Sequence, residues 1–597
     1  MRWIEKYEST PESTAGIAKL AAEMKLRNAT AQTLWGRGMR DAESCARFLK
    51  PELSQLADPF GLKGIDAAVA RLVRALEQRE AICIYGDYDV DGVTSTALLV
   101  SMLRKFAACA PRSGEKTAPA KIEFYVPQRL IEGYGLNLAA LEKLSARGTK
   151  LLVSADCGVT AVAEIDGAAK LGLDVVVIDH HTASQSAEDL PRAVAILNPH
   201  QPGCTFPGRE LAAVGVAFHL LMALRKRLRE AGWFANHVEP NLREVLDLVA
   251  LGTVADVVPL TGPNRILVHH GLRELTRSAR PGIVALKSVA QLTGEVTAGD
   301  VGFKLGPRIN AAGRLDDASV GVRLLLSEDP QEARALAEQL DRANAERQDL
   351  QARIAIDAIA RAEEVMRAGE KRSVVVSAAN WHVGVVGIVA ARLVERFHRP
   401  ALVLAETDGV AKGSGRSIEG FHLYDALARC QSHLQKFGGH KHAAGVTLDA
   451  RELPKFIEAF EREAQAQLVP EQLTPRVRID ALLHPRELEM GLAEELALLA
   501  PFGAGNPEPV FASHGLRMSE QRVLPDKRGL GPGHLKLRLG ASDGADSESI
   551  GAIGFGLGDR QLEPGAGVDA AFQLSIDTWN GNERLQLKLK DIRVASQ

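Results

Sequence analysis

Asp87, Asp89 and Asp91 alternate in ICIYGDYDVDG, just past a short apolar run, and Gly92 lets the chain turn into the next element. LLVSADCG places Asp156 after a second such run, and VVVIDHH places Asp179, His180 and His181 after a third. Asp256 is the one carboxylate in the second half of the apolar stretch LDLVALGTVADVVPL. Carboxylates packed together repel and raise one another's pKa, and a divalent cation removes that penalty. Oxygen ligands with some imidazole favour Mg2+ or Mn2+, whereas the chain has no thiolate spacing for structural zinc. Two such ions about 3.5–4 Å apart can clamp the attacking and phosphoryl oxygens of a phosphoester.

Each feature also has a plainer reading. The D-x-D-x-D-G run is equally a solvated turn, since it lacks the distal Glu of a calcium loop. Asp156 alone reads as a cap, a His pair after a strand is ordinary, and Asp256 is either a helix-end cap or a ligand. Their common position decides the matter. In an open α/β sheet, sites lie beyond the carboxyl ends of the strands, so the clusters converge on one edge.

The elements that must hold them are set by periodicity. AICIYGD, KIEFYVP, KLLVSAD and LDVVVID are apolar runs of strand length, separated by stretches such as DAAVARLVRALEQRE and VTSTALLVSMLRKF with helical spacing. The alternation predicts a mostly parallel sheet covered on both faces over 66–325. Residues 1–65 read as an accessory segment. Residues 326–370 read as a long connecting helix, free of glycine and internal proline between Pro330 and Ala368. A second α/β unit is expected over 371–468, and short strands with Gly, Asp and Asn turns over 469–597 predict a small antiparallel barrel of OB type.

That second unit carries ten Lys and Arg against six Asp and Glu over 371–450, with six His besides. Its segment Lys412-GSGRS reads as a small-residue loop, where Gly413, Ser414 and Gly415 offer donors to an anion and Arg416 a guanidinium fork. FGGHKHAAG adds Gly439, His440 and His442, with a tight hairpin as the plainer reading. On the barrel, His534, Lys536 and Arg538 alternate in HLKLRL, and Phe555 and Trp579 are candidate stacking residues.

The chain has 597 residues, enough for two to four domains at about 150 residues each. Lys and Arg number 72 against 75 Asp and Glu, a net charge of −3, which excludes a wholly basic DNA-coating protein but not a basic groove on one domain. With 46% apolar and 25% charged residues it is neither a disordered chain, a coiled-coil rod nor a collagen-like fibre. Six cysteines (Cys45, Cys83, Cys109, Cys157, Cys204, Cys430) show no metal or disulfide spacing. No apolar run reaches 18 residues and the first ten residues are not a secretory signal, so a cytoplasmic protein is expected.

DYDVDG, SADCG, VIDHH and GTVADVVPL, in this order, resemble the motifs of the DHH phosphoesterase superfamily. More narrowly, PQRLIEGYGL, LGPRINAAGRLDD, WHVGVVGIVAARL, GSGRS, FGGHKHAAG, PFGAGNPEP and TWNGNERLQLKLKDI resemble its bacterial branch of single-strand-specific 5′→3′ DNA exonucleases, over about residues 50–597. The resemblance implies a DHH catalytic domain, a DHHA1 domain and an OB-type domain. It implies Asp89, Asp91, Asp156, His180 and Asp256 as ligands of one or two Mn2+ or Mg2+ ions. Asp87 and His181 become catalytic, His181 touching the scissile phosphate. Arg308, Asn310, Arg314, His382, Ser414, Arg416, Gly439 and His440 would contact substrate. Tyr85 departs from the pattern, because some superfamily relatives carry a metal-binding His there. The implied substrate is single-stranded DNA with a 5′ end, threaded between the two α/β domains of a monomer, with a single-strand-binding protein and a helicase as partner classes. The alternatives are a superfamily phosphodiesterase acting on short oligonucleotides, and a non-catalytic replication scaffold.

Overall fold

The computed structural model describes residues 1–111, 118–128, 131–315, 317–526, 529, 531–541, 549–563, 565–579 and 582–595, with the side chains of Arg314, Leu315, Thr578 and Trp579 outside that description. The chain divides into two compact units. One comprises Lys50–Ala345 with Ala500–Pro507; the other comprises Met1–Leu49, Glu346–Leu499 and Glu508–Gln597.

In the first unit five parallel strands stand in the order Ile122–Tyr125, Ala81–Gly86, Thr149–Ala155, Asp174–Ile178, Ala195–Leu197. Alternate side chains feed two cores. Ile82, Ile84, Val153 and Ile178 pack with the helices Ile65–Gln78, Val90–Ala108 and Ala213–Glu230. Cys83, Tyr85, Leu152 and Val177 pack with Leu138–Ala146 and Val162–Lys170. The sheet is thus covered on both faces, as the alternation of elements requires. The strand order reverses beside Ala81–Gly86, which opens a crevice at the carboxyl ends of that strand and of Thr149–Ala155.

The register sets the site. Gly86 pairs with Ala155, Ala155 with Ile178, and Ile178 with Leu197. The next residue along each strand, Asp87, Asp156, Asp179 or Asn198, therefore leaves the sheet at one level. Their backbones continue the ladder, with Asp87 N donating to Ala155 O at 3.2 Å, Asp156 N to Ile178 O at 2.9 Å and Asp179 N to Leu197 O at 3.1 Å.

In the second unit the strands run Lys436–Gly439, Ala443–Asp449, Val410–Arg416, Ala401–Thr407, Val374–Ala378, with only the last pair parallel. The segment Lys412–Arg416 expected as a loop is strand. Its glycines serve close packing, since a Cβ on Gly413 would sit 2.2 Å from Val403 O. FGGHKHAAG forms the hairpin that was its plainer reading. The C-terminal segment is a closed five-stranded barrel of Phe511–Leu524, His534–Ala541, Ile550–Gly554, Asn582–Val594 and Gly567–Trp579, with Ala481–Leu482 added in parallel. The strand Arg2–Glu5 pairs with Arg476–Ile479, so the first residues pack with this unit. Pro330–Arg367 is one 38-residue helix, which gives Leu336 and Leu340 to the first unit's core and Ile354 and Ala358 to the second's.

Candidate metal centre

Asp87 to Asp91 form the turn from the first strand of the site into the helix Val90–Ala108. Asp89 caps that helix, its Oδ1 accepting from Gly92 N at 3.1 Å. Only glycine fits at Gly92, because a Cβ would lie 2.7 Å from the Asp87 backbone. Asp91 is buried at the start of the helix Ala213–Glu230, with Oδ2 accepting from Ala213 N at 2.7 Å and Oδ1 from Val214 N at 2.9 Å. Asn310 braces the same turn through Oδ1, which accepts from Val90 N at 3.2 Å. Asp156 holds a left-handed backbone (φ +67°), a region aspartate enters more readily than most residues. Asp256 caps the end of the helix Leu246–Ala255.

These residues meet. His180 Nε2 lies 3.3 Å from Asp156 Oδ1, 3.5 Å from Asp256 Oδ2 and 4.0 Å from Asp91 Oδ2. Ligand atoms of Asp91, His180 and Asp256 all lie within 4.8 Å of one another, as do those of Asp87, Asp89 and Asp156, and those of Asp156, His180 and His181. Asp156 Oδ1, His180 Nε2 and Asp256 Oδ2 are buried without any hydrogen-bond partner. Ionised carboxylate oxygens and the bare nitrogen of a neutral imidazole are lone-pair donors, so a divalent cation satisfies all three at once. The donor set fits Mg2+ or Mn2+.

The protonation equilibria show the same strain. Burial, then Asp89, pushes Asp91 up to about 7. Burial, then Asp91 and Asp89, pushes Asp256 up to about 9. Asp156 is driven well above the carboxylate range by burial and by Asp89, Asp91, Asp87 and Asp256. Burial, then the neighbouring His181, draws His180 down to about 4, which keeps it neutral and able to ligate.

Asp179 plays a different part, one the sequence alone did not assign. Its Oδ1 accepts from His180 N at 2.8 Å, His181 N at 3.0 Å and His181 Nδ1 at 2.8 Å, and its Oδ2 from Val159 N at 2.9 Å. Burial raises its pKa, but the bonds from His181 and the backbone hold it below the usual value. For His181 burial works downward, yet the Asp179 contact raises it to about 9. Asn198 completes the frame, with Nδ2 donating to His181 O at 2.9 Å. Tyr85 does not reach into the cluster. It is buried in the opposite core, and its hydroxyl donates to Gly135 O at 3.0 Å.

The remaining residues of interest divide between the units. In the first, the Arg308 guanidinium is engaged by Asp341 at 2.9 Å and Lys304 O at 2.7 Å, and the Arg314 side chain lies outside the described residues. In the second, Arg416 NH1 donates to Ser414 Oγ at 3.0 Å and Gly415 O at 2.8 Å. Burial lowers its pKa, with no carboxylate among the described residues offsetting it. The first turn of the helix Val386–Phe397 closes on this pair, since a Cβ on Gly387 would lie 3.1 Å from Ser414 Oγ and 3.3 Å from Arg416 NH2. His382 accepts from Gly384 N at 3.0 Å just before that helix. Ala443 pairs with Arg416, which puts the Gly439–His440 hairpin end on the next strand. On the barrel, Phe555 is exposed and packs edge-on to His534 at 5.2 Å. Lys536 stands directly across from Arg522, a like-charged pair that an anion would relieve. The Trp579 side chain is outside the described residues.

Val257, next to Asp256, is 69% exposed and holds φ +63°, which costs a β-branched residue roughly 1–2 kcal/mol. Glycine removes that strain but costs about 0.5–1 kcal/mol through its greater freedom in the unfolded chain. Val257→Gly is therefore expected to leave Tm unchanged or slightly higher in a thermal melt. A fall of several degrees would show that the side chain, rather than the backbone, matters here.

Known proteins share this fold and sequence. Family models match as the DHH family N-terminal domain over 81–253, the DHHA1 domain over 371–466 and the RecJ OB domain over 479–591. The chain is 40% identical over 570 residues to the single-stranded-DNA-specific exonuclease RecJ of Escherichia coli, covering 93% of this chain and 94% of that protein. It is 38% identical over 587 residues to the RecJ of Bacillus subtilis, covering 97% and 70%. The crystal structure of RecJ from Thermus thermophilus in complex with Mn2+ superposes with a TM-score of 0.81 at 32% identity, covering all of this chain and 80% of that one. No helix among the described residues is long and apolar enough to cross a membrane.

Proposed function

Because this chain belongs to the RecJ family of single-stranded-DNA-specific exonucleases, we propose that its acidic centre hydrolyses phosphodiester bonds one nucleotide at a time from the 5′ end of single-stranded DNA. The observation that carries this is the convergence of Asp156 Oδ1 and Asp256 Oδ2 within 3.5 Å of His180 Nε2, three buried polar atoms without a hydrogen-bond partner. Asp89, Asp91, Asp156, His180 and Asp256 would hold one or two Mn2+ or Mg2+ ions, with Asp87 beside them. Bound there, a divalent cation neutralises charge on the phosphoryl oxygens and acidifies water.

The chain's own residues supply position. Asp179 fixes the His181 ring by accepting from Nδ1, which leaves Nε2 to donate to a non-bridging oxygen of the scissile phosphate as charge builds there. Water adds to phosphorus, the 3′ oxygen of the terminal nucleotide departs with a proton, and the shortened strand begins with a 5′ phosphate. Each turnover thus regenerates the end that the next one reads. A 5′ block on an end-labelled single strand should stop degradation, a 3′ block should not, and omission of Mn2+ and Mg2+ should stop both. Degradation from the 3′ end would overturn the polarity.

Arg416 is the proposed reader of the terminal phosphate, supported by a half-buried guanidinium that no carboxylate among the described residues neutralises. Arg416→Ala is expected to slow cleavage of 5′-phosphorylated strands on the order of tenfold to a hundredfold, the value of one charge-assisted contact at about 1.5–3 kcal/mol. The loss should be smaller on 5′-hydroxyl strands, with metal binding unchanged. Equal losses on both substrates would assign Arg416 to an internal phosphate.

A further inference from the structure

We propose that Tyr134 is the residue on which a nucleobase next to the scissile phosphate stacks, and that this contact helps restrict the centre to unpaired strands; the inference rests on the exonuclease reading above. Tyr134 lies against the metal centre. Its hydroxyl donates to Asp156 O at 3.2 Å and stands 3.3 Å from His181 Nδ1. Its ring meets His181 edge-on at 5.8 Å and Tyr88 edge-on at 6.3 Å. Yet Tyr134 is 51% exposed, whereas Asp156 is 1% exposed. A tyrosine that only braced His181 would gain by burying its ring.

The described residues around it are tied to the sheet and to one another. Gly133 and Gly135 take left-handed backbones (φ +83° and +87°) on either side. Tyr85 donates to Gly135 O at 3.0 Å, and Glu132 accepts from Tyr125 OH at 2.6 Å and from Gln128 N at 2.8 Å. Little ordering remains to be done when a ligand arrives. With the hydroxyl engaged, Tyr134 presents aromatic surface to solvent. That surface has no donor for a phosphate, and it matches the face of a nucleobase. Within a duplex each base is stacked on its neighbours and only the outer face of the end pair is free, so a base beside the scissile phosphate can turn onto the ring only in an unpaired strand.

The test uses the full chain with Mn2+ and single strands of one sequence, either intact or carrying one abasic residue at the first or second position. In the wild type the lesion should raise KM on the order of tenfold or more at one of these positions, the usual worth of one stacked base. Tyr134→Phe keeps the ring and should keep that penalty. Tyr134→Ala should raise KM for the intact strand by about as much and lose the penalty, because the two changes remove one contact. Where turnover of the alanine variant is too slow, anisotropy of the same two strands without metal reads the same contrast. A lesion penalty as large in Tyr134→Ala as in the wild type overturns the proposal, even if kcat falls, since Tyr134 would then act only through His181. A wild type indifferent to the lesion overturns it as well. A wild type that degrades no intact single strand fails the exonuclease reading instead, which the intact-strand control reports separately.

Discussion

Asp156→Ala is expected to abolish cleavage, to below about a thousandth of the wild type, while the chain stays folded and still binds single-stranded DNA. Residues that merely orient metal ligands cost about 10–100-fold when removed, and Asp156 is a ligand candidate in two of the three groups that can hold an ion. Stability separates this from simple damage. A buried carboxylate whose folded pKa is raised destabilises the fold wherever it is ionised, above its unfolded value. Removing it should therefore not lower the Tm of metal-free protein at neutral pH, apart from the strain of alanine at φ +67°. Asp156→Asn, which tolerates that backbone better, isolates the charge. Mn2+ should raise the Tm of the wild type through binding to the folded state, and raise that of either variant much less. Near-normal turnover, or an equal Mn2+ response, would remove Asp156 from the centre.

Much of this centre is legible in the sequence because three of the four apolar runs end on an aspartate, and a parallel sheet brings run ends together. Periodicity cannot give register. The pairing of Gly86 with Ala155, Ala155 with Ile178 and Ile178 with Leu197 puts four polar residues at one level, and the last of them, Asn198, carries no motif. Asp179 is visible in VIDHH, but its role as the acceptor for four donors is a fact of folded backbone. Tyr134 lies within PQRLIEGYGL without a role to mark it, and Tyr85 stands out only by its departure from a metal-binding pattern. The structure ties the two together, since Tyr85 anchors the loop that bears Tyr134.

Elsewhere tertiary packing overrode local signals. GSGR has the composition of a loop, yet it is a strand whose glycines let neighbouring backbones approach. PFGAGNPEP lies between barrel and DHHA1 segments in sequence, but Ala500–Pro507 packs with the catalytic unit, where Ala504 O accepts from Leu260 N at 2.7 Å. Deleting everything beyond about residue 470 would therefore strip part of that unit. It would also unpair Arg2–Glu5 and leave Lys6 without Asp480, 2.7 Å away. Point substitutions at Arg522 and Lys536 test the barrel's part in binding without that damage.

Asp179→Asn should lower kcat on the order of a hundredfold to ten-thousandfold, with KM and Mn2+ affinity changed far less. The upper figure is the cost of the same replacement where an aspartate fixes a catalytic histidine. An asparagine has one acceptor oxygen, and Asp179 Oδ1 already takes three donors, so that oxygen belongs there. The amide nitrogen then points at Val159 N, which donates to Oδ2 in the wild type, and two donors are left facing each other in a buried site. That mismatch costs about 1–3 kcal/mol and should appear as a lower Tm. Flipping the amide satisfies Val159 but turns a donor toward His181 Nδ1, which must then accept, so the ring is held neutral and its Nε2 proton has no carboxylate behind it. In either orientation His181 loses the negative charge that supports it as charge builds on the phosphate. The groups proposed to hold the cation, Asp91, Asp156, His180 and Asp256, keep their side chains, so metal uptake measured by calorimetry should persist. If Mn2+ affinity collapsed in step with kcat, Asp179 would have to be counted among the residues that build the metal site. If kcat stayed within threefold of the wild type, His181 would not need its aspartate, and its assignment to the scissile phosphate would fall.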